Sequence, residues 1–316
     1  MGTDMNVVFH YAAGAQLAAR LAAIPGLRVS VCPEPDDALL VRLLQDTDVL
    51  WHVLKPCTAA MIGAAPRLRL IQKIGVGVNT IDLAAAKARG IAVCNLPGTN
   101  SLAVAELALL LMLACLRKLP AFDAAIRAGR GWALPTAMQD GLGELSGRTV
   151  GLVGYGAVPQ ALAPVLRAMG CRVIYTARAP RAGMEGDYRA LPDLLAEAEI
   201  VSLHVPQTAE TEKIIDGPAL ARMKPGAILI NTARGGLVDE AALVATLVSG
   251  QLAAAGLDVF AQEPAASDNP LFALPNVVLA PHIGWLTGGT FARSFSIAAE
   301  NCRRLAAGEP LLHRVA

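Results

Sequence analysis

The stretch Thr149-Val-Gly-Leu-Val-Gly154-Tyr-Gly156-Ala157-Val158-Pro159 decides the fold of this 316-residue chain. A β-branched strand runs straight into a glycine turn, and the turn opens a helix, the context that a dinucleotide fingerprint requires. Gly154 permits the tight turn, and Gly156 lets the backbone approach a pyrophosphate. The amides of Ala157 and Val158 then point at the phosphates from the helix N-terminus. Pro159 occupies the place of the third glycine. In a first turn it is tolerated, because its N–H would be unpaired anyway. Pro164 lies deeper, removes a hydrogen bond to Gln160 and predicts a kink.

Short apolar runs alternate with helical stretches on both sides of this motif. Downstream, Arg172–Tyr175, Ile200–Leu203, Ala227–Asn231, Ala254–Asp258 and Val277–Leu279 read as further strands. Helices near Ala157–Met169, Leu191–Ala196, Gly217–Ala221 and Glu240–Ser249 fill the gaps. With Thr149–Val153 this makes six strands with crossover helices, the count of a doubly wound dinucleotide fold. Upstream, strands at Asn6–Tyr11, Val49–Trp51, Leu70–Lys73 and Ala92–Asn95 alternate with helices at Ala15–Ile24, Ala38–Leu44 and Leu83–Ala88. That is the βαβα pattern of a second parallel sheet covered on both faces. Ser101–Leu119 reads as a long apolar helix with Ser101 as its cap. Gly129–Gly147 reads as a loop, and the last helix, about Thr290–Leu305, lies beyond the sixth strand.

Composition narrows the function classes. The chain is 54% hydrophobic and 17% charged, enough apolar surface for two sizeable cores. Its few aromatics predict cores of aliphatic side chains. Lys plus Arg number 27 and Asp plus Glu 26, a formal charge of +1 that argues against a broad nucleic-acid face. The mean hydropathy of +0.47 raises the question of a membrane. The most apolar run, Leu102–Leu116, is shorter than the ~20 residues of a span and carries Glu106, so no membrane segment is expected. Met1-Gly-Thr-Asp-Met5 has no cationic flank and does not read as a signal peptide. Six cysteines without a CxxC pair fit a reducing cytoplasm, and His10, His52 and His313 show no ligand spacing, so no metal is expected.

The cofactor's ribose is read at the end of the strand after the glycine turn. There Tyr175-Thr176-Ala-Arg178 offers a neutral hydroxyl and a cation, with Arg181 close behind and no acid. A 2′-phosphate suits this better than a free 2′-hydroxyl, so NADP(H) is preferred over NAD(H).

Three later strand ends carry the chemistry. Asn231-Thr232-Ala233-Arg234-Gly-Gly ends one strand at a glycine turn and exposes Arg234. Asp258-Val-Phe-Ala-Gln-Glu263-Pro puts two acids just past the next, and Pro281-His282-Ile-Gly284 follows the last. Reduction of a 2-keto acid needs a cation for the carboxylate, which an arginine holds bidentately. It needs a proton donor for the developing alkoxide, for which histidine is suited. A carboxylate behind that histidine fixes its tautomer; Glu263 is the candidate, while Asp258 can accept from a nicotinamide amide. His204, in Leu203-His-Val-Pro, reads as structural.

These segments resemble those of the D-isomer-specific 2-hydroxyacid dehydrogenases, together with Lys73-Ile-Gly-Val76-Gly77-Val-Asn79-Thr-Ile-Asp82, Asn100-Ser-Leu-Ala-Val-Ala-Glu106 and His204-Val205-Pro206-Gln-Thr208. The resemblance covers nearly the whole chain. It implies an α/β protein of two Rossmann-like doubly wound parallel-sheet domains with a cleft between them. Residues 1–100 plus 288–316 would form a flavodoxin-like substrate domain, and 101–287 the dinucleotide domain. Arg234 would anchor the substrate carboxylate, helped by the amides of Val76 and Gly77. His282 would be the acid/base and Glu263 its partner. The cofactor would meet Val76, Gly154, Gly156, Ala157, Val158, Thr176, Arg178, Val205, Pro206, Thr211, Thr232, Ala233, Asp258, His282 and Gly284. The helix from Ser101 would mediate a homodimer. The expected reaction is reduction of a small 2-keto acid to its D-2-hydroxy acid, as in the glyoxylate and hydroxypyruvate reductase branch. The alternatives are a non-catalytic dinucleotide-sensing protein, or a related dehydrogenase of phosphite, formate or phosphoglycerate, the inorganic anion being suggested by Lys73. Trp285 stands where many members carry a small residue, and is expected to narrow the active site or stack near the cofactor.

Overall fold

The computed structural model describes residues 5–132, 141–179 and 186–316. It divides into two compact units, Met1–Asn100 with Thr287–Ala316, and Ser101–Leu286.

The first unit is a five-stranded, wholly parallel sheet. Its strands are β1 (Met5–His10), β2 (Leu27–Cys32), β3 (Val49–His52), β4 (Leu70–Lys73) and β5 (Ala92–Cys94), in the order β2-β1-β3-β4-β5. Helices α1 (Ala15–Ala22), α2 (Asp37–Leu44), α3 (Ala59–Gly63) and α4 (Leu83–Ala88) connect them. Asp36, Thr58 and Asp82 cap the last three, each accepting an amide three residues on. One face of the sheet is aliphatic, with Val8, Leu50 and Ile71 buried against Leu40, Leu44 and Ile62. The other corrects the expectation of purely aliphatic cores. There Phe295 stacks on Trp51 at 5.4 Å and on Phe291 at 5.3 Å, and meets Phe9 edge-on at 5.6 Å. Phe291 and Phe295 belong to the closing helix, Gly288–Ala307, which Thr287 caps. The last residues pair antiparallel with β5: Val93 N–H donates to the Ala316 carbonyl and Val315 N–H to that of Val93.

The second unit begins with α5 (Ser101–Arg117), of which Ser101 is the first helical residue. The helix ends two residues sooner than expected. Lys118 adopts a left-handed backbone (φ 50°), and α6 (Leu119–Arg127) starts afresh with Pro120 in its first turn. The sheet runs β12-β11-β10-β9-β6-β7-β8, parallel throughout. Its strands are β6 (Thr149–Val153), β7 (Arg172–Thr176), β8 (Asp187–Tyr188), β9 (Ile200–Leu203), β10 (Ala227–Asn231), β11 (Leu252–Leu257) and β12 (Val277–Leu279). The order reverses between β6 and β9, the place where such sheets open a crevice at their carboxyl edge. One face is covered by α5 and α7 (Ala157–Ala168). The other is covered by α8 (Leu191–Glu197), α9 (Gly217–Arg222) and α10 (Glu240–Val248). Gly256 explains how closely α5 lies: a Cβ there would stand 2.9 Å from Leu111 Cβ. Helix α7 runs on past Pro164 to Ala168 as one element.

Among the described residues no helix is long and apolar enough to cross a membrane. Among them, too, no group of three His, Cys, Asp or Glu side chains is placed to hold a metal ion. All six cysteines are buried and free.

Candidate active site

The glycine turn after β6 has the geometry of a phosphate cradle. Gly154 sits at φ 96°, its N–H donating to the Thr176 carbonyl at 2.9 Å. A Cβ there would press within 2.8 Å of the His204 carbonyl, so the close approach of the two strand ends needs glycine. Gly156 is the opposite case: a Cβ would meet nothing within 4 Å, leaving open space above the start of α7 and the amides of Ala157 and Val158. Pro159 is buried in that first turn. Thr232 Oγ1 is buried without a partner among the described residues, beside Ala233 at the end of β10. An open cradle and an unsatisfied hydroxyl at one sheet edge both fit a dinucleotide.

Of the other expected cofactor contacts, Thr211 is engaged within its own turn. Thr211 donates to the Pro206 carbonyl at 2.6 Å and accepts from the Thr208 amide at 2.8 Å, so it shapes the turn that follows Val205. Thr176 closes β7, half-buried; Arg178 is exposed with no carboxylate partner among the described residues. Arg181 lies outside the described residues. His204 bonds Ser202 through Nε2 at 2.9 Å, and burial pushes it down to about 3, so it is neutral at physiological pH.

Arg234 is aimed by its own strand end. Buried Asn231 accepts from Ala233 N–H at 3.0 Å and donates to the Arg234 carbonyl at 2.8 Å, tying a ring that turns the chain after β10. Gly235 must follow, since a Cβ would fall 1.9 Å from Phe260 backbone atoms. The guanidinium is half-buried and donates to the Ala233 carbonyl at 2.6 Å. Burial lowers its pKa and the nearby Glu263 charge offsets this; arginine stays cationic regardless. Among the described residues no carboxylate forms an ion pair with it.

Asp258, Glu263, His282 and Gly284 form one hydrogen-bonded group. Glu263 Oε2 accepts from His282 Nδ1 at 2.6 Å, and Oε1 accepts from the Phe260 amide at 3.0 Å. Burial works against its ionisation, but the bond and charge of His282, the Phe260 amide and Arg234 hold its pKa below the usual range. With Nδ1–H committed to Glu263, Nε2 is the nitrogen left to carry a transferable proton. Asp258 is buried, and both its oxygens accept backbone amides at 2.8 Å, from Ile283 and Gly284. Burial raises its pKa against the pull of those amides and of His282. Gly284 allows this, because a Cβ would stand 2.9 Å from Asp258 Oδ2. In sequence Asp258 reads as an acceptor for the nicotinamide amide; in the structure it clamps the chain after His282.

Two further residues are engaged locally. Trp285 is buried, and its indole N–H donates to the His282 carbonyl at 3.0 Å. Lys73, at 6% exposure, donates to the Val53 carbonyl beside His52, so its charge is engaged inside the first unit. Val76 and Gly77 lie on the loop after β4, Val76 exposed and its carbonyl accepting from Asn95 Nδ2 at 2.9 Å.

A doubly wound sheet with a glycine cradle at its reversal, and an Arg, Glu and His gathered along the same edge, defines a dinucleotide-binding architecture. The comparisons with known proteins are specific. Residues 109–284 match the family model of the D-isomer specific 2-hydroxyacid dehydrogenase, NAD binding domain. The chain is 42% identical over 285 residues to the D-3-phosphoglycerate dehydrogenase of Mycobacterium tuberculosis, covering 89% of this chain and 51% of that protein. It is 40% identical over 286 residues to the glyoxylate reductase of Aeropyrum pernix, covering 88% of this chain and 85% of that one. A crystal structure of a Thermus thermophilus protein superposes with a TM-score of 0.88 at 38% identity, over 99% of this chain and 100% of that one. The chain belongs to the D-isomer specific 2-hydroxyacid dehydrogenase family. It spans about half the length of the phosphoglycerate dehydrogenases it matches.

Proposed function

We propose that this protein reduces a small 2-keto acid to its D-2-hydroxy acid, reversibly, with NADP(H) preferred over NAD(H). The observation that carries the reading is the 2.6 Å Glu263–His282 pair on the same sheet edge as a half-buried Arg234 that forms no ion pair among the described residues. A bound nicotinamide supplies the hydride. The chain's own residues do the rest. Arg234 holds the substrate carboxylate in a bidentate, charge-assisted pair. His282 delivers a proton from Nε2 to the carbonyl oxygen as the alkoxide charge grows, and in the reverse direction removes it. Glu263 stabilises the imidazolium and keeps the ring in register. We assign the Val76 and Gly77 amides to an anion as well.

The preference for NADP(H) rests on Thr176 and Arg178. A carboxylate at the end of β7 would repel a 2′-phosphate; a hydroxyl and an exposed guanidinium accept one. A homodimer is supported by Leu102 and Leu110 on α5, and by Leu119 and Ile126 on α6, all more than half exposed. Trp132 beyond them is 93% exposed.

The test is oxidation of NADPH and NADH, followed by absorbance, with glyoxylate, hydroxypyruvate, pyruvate, phenylpyruvate and a phosphorylated keto acid. Turnover favouring NADPH is expected. Tight dinucleotide binding without turnover on any of these overturns the reading in favour of a sensing protein. Reduction of NADP+ or NAD+ by phosphite or formate, with no turnover of the keto acids, changes the donor.

A further inference from the structure

His282 carries the chemistry from an unusual backbone. Its φ is 56°, a left-handed conformation that a side chain with a Cβ rarely adopts. The direction of the Cα–Cβ bond, and so of the imidazole, follows from that backbone. In the left-handed state the ring meets Glu263 through Nδ1; relaxation of φ would swing it off that bond. Such a conformation persists only where its surroundings over-determine it.

Hydrogen bonds supply the restraints. The His282 N–H donates to the Asp258 carbonyl at 2.8 Å. The next two amides, of Ile283 and Gly284, are held by the Asp258 carboxylate. The remaining backbone polar group of the residue is its own carbonyl, which accepts the Trp285 indole N–H at 3.0 Å. Among the described residues no other donor reaches that carbonyl. The indole belongs to a residue 6% exposed, so water cannot readily substitute for it.

We infer that Trp285 is a positioning residue for the reaction, its indole N–H locking the left-handed backbone of His282 so that the imidazole stays aimed between Glu263 and the substrate oxygen. The inference rests on the assignment of His282 as the proton donor. Trp285 touches neither substrate nor cofactor in this role. It acts through one carbonyl, and what it controls is the alignment of proton transfer, to which rates are steeply sensitive.

The experiment replaces the N–H without changing the shape. Trp285→3-benzothienylalanine puts sulfur in place of the indole nitrogen, and Trp285→Phe is the simpler companion variant. Both are compared with His282→Ala, using glyoxylate and NADPH. In the sulfur variant kcat is expected to fall about tenfold with the KM for glyoxylate nearly unchanged. The solvent isotope effect on kcat should rise as proton transfer becomes limiting. Melting temperature and NADPH affinity should hold. The Nδ1–H proton resonance expected of the 2.6 Å bond to Glu263 should broaden or shift upfield, a readout that needs no turnover. A sulfur variant with wild-type kcat, isotope effect and Nδ1–H resonance overturns the inference. So does a loss that tracks melting temperature and cofactor affinity alone. A fully active His282→Ala protein would instead overturn the function proposed above, leaving the resonance to test the Trp285 bond itself.

Discussion

Both sheets carry histidines and cations at their carboxyl edges, and His282 in the second is treated in the opposite way to the histidines of the first. In the first unit, the register sets His10 beside His52 and His52 beside Lys73, in one row across three strands. All three are buried, and three of the four imidazole nitrogens have no hydrogen-bond partner among the described residues. Burial, then the Lys73 charge, then His10 push His52 down to about 3, and burial lowers His10. In the second unit, His282 is half-buried, tied to a carboxylate, and set on a left-handed backbone. A histidine at a strand end is therefore not a site by position. A partner that stabilises its cation and a face left open to a ligand are what make it one.

Substitutions at the two edges can undo this contrast. His282→Ala should lower kcat by about 10²- to 10⁴-fold, the range for loss of a general acid. His52→Gln should leave kcat within about twofold, and a comparable loss there would erase the distinction between the edges. Arg234→Lys keeps the charge and gives up the planar fork. It should cost roughly 1.5–3 kcal/mol in kcat/KM, read mainly as a higher KM for the keto acid.

Acid should separate the edges next. The folded pKa of His52 lies at about 3, below its ordinary 6.5, so between those values the unfolded chain binds the proton that the folded chain refuses. The contribution of His52 to stability is therefore full above about pH 6.5 and falls as pH drops toward 3, by roughly 1.4 kcal/mol per unit at most. His52→Gln should flatten that slope in urea melts spanning this range. An unchanged slope would show that the row is not what makes the protein acid-sensitive. The smallest effect is expected at the cofactor's ribose. Arg178→Ala should raise the KM for NADPH by about tenfold, roughly 1.4 kcal/mol, and leave that for NADH alone. Equal effects on both cofactors would detach Arg178 from the 2′-phosphate.

Most of the architecture is legible in local pattern, and the exceptions have local causes. Strand β2 alternates Leu-Arg-Val-Ser-Val-Cys behind Gly26, a readable signal that longer apolar runs overshadow. Strand β8 is two residues long, too short for any periodicity. The break at Lys118 hides inside an apolar helix, because a left-handed lysine leaves no compositional mark; only Pro120 hints at it. At the candidate site the residue types of Arg234, Glu263 and His282 announce a chemistry. What stays hidden in sequence is the work of their neighbours. Asp258 and Trp285 look like ligand contacts there, and the structure adds that both hold backbone, because hydrogen bonds to amides and carbonyls depend on chain direction rather than on residue type.

The antiparallel pairing of the last residues with β5 bears on solubility. A parallel sheet ends in a bare row of amides and carbonyls, a ready template for another chain's strand. Here Val315 and Ala316 occupy both backbone groups of Val93, and the Asn95 amide donates to the His313 carbonyl at 3.1 Å. Arg314 crosses over Cys94, a cation on the guarding segment itself. This short segment thus covers the backbone edge on which another chain's strand would otherwise pair.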